Sequence, residues 1–200
     1  MSIEKAINKS GEWLNACNEL LGEQSFTGTT KSRVAAALLH LAIEHHGSIH
    51  LLVGNHQHGS AFALLRPQFE TYVRGVWFLR CASEEQIEEF IKVDKLPKIR
   101  SLLEDIQKVP GYEEGTLKAV KERVWNELCG YTHGGYVHVA YRNTENEIAS
   151  NYEEQHIVGL LSTACAITLM ASIAFAWLVQ SEDMAIELAS THKKIFSENA

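Results

Sequence analysis

Apolar residues recur along this chain at the three- and four-residue steps of helices, and no alternating run bounded by turn residues makes a core strand. Ile3, Ile7, Trp13, Leu14, Cys17 and Leu21 form one stripe, which predicts a first helix from Ile3 to Leu21 with Gly22 as its stop. Val34, Leu38, Leu41 and Ile49 predict a second helix from Thr30 past Ile49, broken at GNHQHGS. Ser60 then reads as the N-cap of a third, whose Phe62, Leu65, Phe69, Val73 and Val76 share a face and whose Pro67 falls in the second turn. Ser83 with Gln86 three residues on has the form of a capping box opening a short helix, and LPKIRSLLEDIQKV supplies another, ending before Pro110. A helix from Gly115 to Thr132 follows, then an irregular stretch in which Tyr136 to Tyr141 pairs as a small hairpin. Helices from Glu153 to Val179 and from Met184 to Phe196 close the chain. The fold expected is all-α, an up-and-down helical bundle of four long helices with additional short ones, forming a single domain over residues 1–200.

The stretch Ile157–Val179 carries no charge and is as long as a membrane-spanning helix. Its flanks are acidic, Glu153 and Glu154 before it and Glu182 and Asp183 after it, and no lysine or arginine lies close to either end. Its many small residues suit close approach of other helices. It is therefore read as the central helix of the bundle, buried on all sides, and no membrane partner is expected. A net charge of −7 excludes a broad basic face for nucleic acid or lipid headgroups, though not a local basic pocket. Cys17, Cys81, Cys129 and Cys165 are far apart, without a C-x-x-C pair, and lie among apolar neighbours. They read as reduced, buried thiols of a cytoplasmic protein.

Candidate chemistry concentrates in two places. Arg66, Glu70 and Arg74 recur every four residues, which stacks a carboxylate between two guanidiniums on one stripe of the third helix. Partly buried, such a ladder must be hydrogen-bonded and can hold an anion. In WNELCGYTHGGYVH a helix ends and presents Tyr131, His133 and Gly134–Gly135 from a loop held by rigid elements. His133 can serve as an acid or base, and Arg66 can meet a phosphate bidentately. Equally, Arg66 and Glu70 can serve only to fix helix register, with His133 anchoring its loop.

The LLRPQFE helix and, some sixty residues later, the Asn-x6-His helix end WNELCGYTH resemble a group of uncharacterised bacterial helical proteins and, more distantly, the HEPN superfamily, over about Leu38 to Val179. That resemblance implies a helical bundle, a homodimer, and a metal-independent endoribonuclease of a toxin–antitoxin or defence system, with an RNA substrate and an antitoxin or other protein partner. It carries Asn126 and His133 onto the active-site signature. Trp125 stands where the signature places its arginine, and nine residues intervene between Arg123 and His133, so Arg66 is expected to take that place in space. Arg66, Asn126 and His133 are the expected catalytic set, with Glu70, Arg74 and Tyr131 binding. The second reading is a non-catalytic sensor or protein-interaction bundle with a small anion pocket.

The ten histidines offer a competing pattern. His40 with Glu44, and His46 with His50, stand at i, i+4, but the pairs are six residues apart and so turned about 120° around the helix. Three ligands do not converge, and neither a metal nor another cofactor is expected. Phosphate-loop, dinucleotide and serine-hydrolase motifs are absent from the sequence.

Overall fold

The computed structural model describes residues 1–22 and 28–197, and within them the side chains of all residues but 120, 123, 124, 126 and 127. Its helices are α1 (Ile3–Leu21), α2 (Thr30–Gly54), α3 (His58–Arg80), α4 (Glu84–Val93), α5 (Ile99–Ile106), α6 (Thr116–Thr132), α7 (Tyr136–Ala140), α8 (Glu154–Leu178) and α9 (Glu182–Ser197). The fold is all-α. Among the described residues the only β-pairing is a single bridge between Asn143 and Ile148. The four long helices α1, α2, α3 and α8 form the bundle, α9 covers α1 and α8, and α5 and α6 lean on α3.

Local chemistry explains where several of the helices start. Ser2 and Thr29 cap α1 and α2 by accepting the Lys5 and Ser32 amides, and Ser83 and Gln86 complete both halves of the capping box of α4. α3 departs from expectation. Its first residue is His58, not a residue after Ser60, because the α2–α3 link closes in three residues. The Gln57 amide returns to Leu52 O at 2.8 Å, and His56 takes a left-handed φ of 59°. Pro67 consequently falls in the third turn of α3 rather than the second. Tyr136–Tyr141 is likewise no hairpin: Tyr136–Ala140 coils as α7, since Gly135 brings the chain back against α6 too tightly for a second strand.

α8 is long and apolar enough to cross a membrane, with a mean hydropathy of 2.1, yet 56% of that window is buried inside the protein. It touches α1, α2, α3 and α9. Burial on all sides is not what the structure shows. Gly159, Ser162, Thr163, Ala166 and Trp177 leave an exposed stripe along α8, because α5 and α6 pack on α3 instead of closing over it. The main core runs from Leu39 and Ile49 of α2 through Phe69, Tyr72 and Val73 of α3 to Leu160, Leu161 and Ala171 of α8. A smaller cluster joins Trp13, Cys17, Cys165, Leu188 and Ile195 between α1, α8 and α9. Of the cysteines, Cys17 and Cys165 are buried as expected, and burial pushes both thiols up to about 12. Cys81 and Cys129 are only half-buried.

At the centre of the bundle lies a polar chain drawn from all four long helices. His46 of α2, fully buried, meets Ser10 Oγ of α1 through Nε2 at 3.0 Å and Thr168 Oγ1 of α8 through Nδ1 at 3.0 Å. Gln68 Nε2 of α3 donates to Thr168 Oγ1 and to Ala164 O. Cys165 Sγ lies 3.4 Å from the same imidazole nitrogen as Ser10, and His50 Nδ1 also reaches Ser10. His40 and Glu44 stay on the exposed face of α2. Among the described residues, no three metal-ligating side chains converge.

Burial, and then the neighbouring His50, hold the His46 imidazole down to about 3. In the unfolded chain it returns to the ordinary value near 6.5, so between these values the unfolded state binds the extra proton. The contribution of His46 to stability is therefore full above about pH 6.5 and is lost progressively as pH falls toward about 3. Urea unfolding between about pH 5 and about pH 7 should show a slope to which His46 adds up to about 1.4 kcal/mol per pH unit. His46→Gln should remove that part of the slope. An unchanged slope in the variant would show that the acid sensitivity lies elsewhere.

Candidate functional site

One stripe of α3 carries the ion-pair ladder that its four-residue spacing implies. Glu70 Oε1 accepts from Arg66 Nε at 2.7 Å, and Oε2 accepts from Arg74 Nη2 at 2.8 Å. The side chains of Arg66 and Glu70 are 20% and 16% exposed, so this ladder is shielded from solvent far more than an ordinary surface pair. Pro67, between them, has no amide to give the Ala63 carbonyl one turn earlier. Thr132, the last residue of α6, points its hydroxyl at that carbonyl at 3.4 Å while also donating to Leu128 O at 2.9 Å. The gap left by proline in the backbone of α3 is thus where the end of α6 docks.

The way α6 ends sets the position of His133. His133 is the C-cap, Gly134 turns left-handed at φ 66°, and the Gly135 amide returns to Gly130 O at 2.7 Å. This is the six-to-one bond of a Schellman motif. A Cβ on Gly135 would stand 2.8 Å from Gly130 Cα, so the closure requires glycine there as well. The Tyr131 carbonyl is taken by the Nε2–H of His138, from α7. His133 is left at the exposed lip, its Nε2 2.8 Å from Arg66 Nη1, bridging positions 67 residues apart. A guanidinium only donates, so His133 Nε2 must accept, which makes the imidazole in this contact neutral with its hydrogen on Nδ1.

Arg66 is held from further sides. The same Nη1 donates to Cys129 Sγ at 3.3 Å, and the guanidinium lies over the Trp125 ring, 4.7 Å from its centroid. Lys121 Nζ approaches that ring too, at 5.2 Å. Arg66, Pro67, Glu70, Thr71, Arg74, Thr132 and His133 line an open cleft of about 240 Å³. Two guanidiniums, one carboxylate and a neutral imidazole leave it with a net positive charge in an acidic protein.

Of the residues singled out from sequence, Arg66, Glu70, Arg74 and His133 meet in this cleft. Asn126 is on α6, but its side chain lies outside the described ones. Tyr131 is not at the cleft. Only 3% exposed, it stacks on Phe62 with ring centroids 4.6 Å apart, because it stands on the face of α6 turned toward the core. Cys129 and Trp125 were missed as contacts of Arg66. Their signal was present in the sequence, since positions 125, 129 and 132 or 133 fall on one helical face.

Replacing Gly134 by alanine forces a left-handed conformation on a residue with a Cβ and should destabilise the fold by about 1–2 kcal/mol. Chemical denaturation measures this, and the His133 ring resonances in NMR should shift with it. An unperturbed His133 environment in Gly134→Ala would mean that the motif does not position the imidazole.

No curated protein and no solved structure matches the chain. A family model described as a family of unknown function, DUF6988, matches residues 39–198, which span every residue of the cleft. The chain belongs to the DUF6988 family.

Proposed function

We propose that the cleft between α3 and the end of α6 binds a phosphodiester and that the chain is a metal-independent endoribonuclease of HEPN-like type. The observation that carries this reading is the 2.8 Å contact between Arg66 Nη1 and His133 Nε2 inside an open, positively charged cleft. It supports the reading because a guanidinium suited to a phosphate and an imidazole suited to accept a proton lie within one nucleotide's reach of each other. A phosphate oxygen entering the cleft competes for Arg66 Nη1 and releases the His133 lone pair. His133 then takes the ribose 2′-OH proton as the 2′-oxygen attacks the adjacent phosphorus. The bond from phosphorus to the 5′-oxygen breaks, and that oxygen takes a proton from water, leaving a 2′,3′-cyclic phosphate and a 5′-hydroxyl. Arg66 and Arg74 neutralise the charge gathering on the phosphorane, while Glu70 keeps both guanidiniums oriented. A cytoplasmic homodimer, with an antitoxin or other protein as regulating partner, is the assembly that belongs with this reading.

One observation favours a second reading, a non-catalytic anion sensor. Glu70 already engages both guanidiniums, which leaves little charge uncommitted. Incubation with single-stranded RNA in the presence of a chelator separates the two. On the first reading the wild-type protein produces cyclic-phosphate ends, and Arg66→Ala and His133→Ala each slow cleavage by about 100-fold or more. Undiminished cleavage by either variant would sink the first reading. Absence of cleavage by the wild type, together with phosphate binding lost in Arg66→Ala, would establish the second.

A further inference from the structure

A second cavity, of about 350 Å³, opens where α3, α5, α6 and α8 converge. Its floor is apolar and buried: Val76, Leu103 and Ile106 are each 2% exposed or less, and Tyr72 beside them is 1% exposed. Trp177 of α8 stands at the rim, 60% exposed, an unusual position for a tryptophan that has a core within reach. The Arg80 guanidinium lies 5.7 Å from the centroid of its ring.

Two cations line this cavity, Arg80 at the end of α3 and Lys118 in the first turn of α6, and neither has an ion-pair partner among the described residues. That first turn also has no side-chain cap on its amides, since its N-cap is Gly115. Nearby acids do not close the circuit. Glu113 is engaged with the Gly111 amide at 2.7 Å, and Glu114 lines the cavity but offsets only one of the two positive charges. Among the described lining residues the net charge is therefore +1. Among the described lining residues there is no cysteine, serine or histidine, and the apolar floor with a few polar groups at its rim is the form of a binding pocket. At roughly 30 Å³ for each atom of water size, it has room for about a dozen.

We propose that this cavity binds a small organic acid carrying one negative charge, its carboxylate between Arg80 and Lys118 and its apolar body on the floor of Val76, Leu103 and Ile106. A monoanion matches the rim charge, whereas a phosphate monoester brings a second charge that Glu114 repels. The apolar floor requires a hydrocarbon or aromatic body, which inorganic anions lack. Trp177, over the mouth, is the wall that such a body displaces from water.

Titration calorimetry of the full chain with octanoate tests this, with octanamide and inorganic phosphate as controls. Octanoate is expected to bind, octanamide and phosphate to bind at least about tenfold more weakly, and Arg80→Gln and Lys118→Gln each to weaken octanoate by about tenfold. Arg80 is exposed, so its substitution leaves the fold in place. Arg66→Ala should bind octanoate like the wild type, which separates this cavity from the cleft at His133. The Trp177 indole resonance should move on titration. Octanoate that fails to bind, binds equally in Arg80→Gln, or binds no better than octanamide overturns the proposal. So does a fall in molar mass by light scattering on adding octanoate with no dependence on Arg80, since that result assigns the groove to a second copy of the chain.

Discussion

The structure depends on a single buried polar chain that none of its four long helices can satisfy alone. Ser10, His46, Gln68 and Thr168 each come from a different helix, and the chain through the imidazole closes only when all four stand in register. An imidazole without partners inside an apolar core carries a desolvation penalty large enough to unfold a marginal domain. One bundle geometry therefore stands apart from the many that would bury the same apolar stripes. Because Gln68 is pinned inward, residues two positions before and after it lie about 200° away around the helix, and Arg66 and Glu70 are forced toward the opposite side. The orientation of the charged ladder is thus decided in the core.

From that starting point the cleft is assembled by two backbone irregularities facing each other. Pro67 strips one carbonyl of its helical partner, and the glycine-rich end of α6 supplies a turn tight enough to bring Thr132 and His133 onto that spot. Neither irregularity is tolerated cheaply within its own helix. Each makes sense in the presence of the other, which is a familiar way for a fold to hold a reactive group at its surface without a flexible loop.

Much of this was legible in the chain. The periodicity of the apolar residues places the helices, and the Ser83–Gln86 pair marks its cap correctly, because both signals are local and depend on a handful of adjacent residues. The ladder was legible for the same reason, as i, i+4 spacing dictates which side chains touch. What escaped is what each face meets across space. Spacing sets His46 one turn from His50, but it says nothing of the decisive partner, Ser10, which lies on another helix. Tyr131 looked like a residue presented at the site, yet it stands within α6 on the face turned toward the core. Tyr136–Tyr141 alternates like a strand, but the closure at Gly135 leaves room only for α7. Arg66 and His133 could be joined on paper only by resemblance; the docking of α6 on the Ala63 carbonyl joins them physically.

α3 and α6 each run from one cavity to the other: α3 carries Arg66 near its middle and Arg80 at its end, while α6 carries Lys118 in its first turn and is capped by His133. The two cavities therefore share two walls. Side-chain truncations that leave the helix axes in place, such as Arg66→Ala, should add across the two cavities, and only a change that tilts a common wall should couple them. Variation at Trp177 is different in kind, because α8 lines only one of the two cavities, and its effects should combine independently with changes at the other.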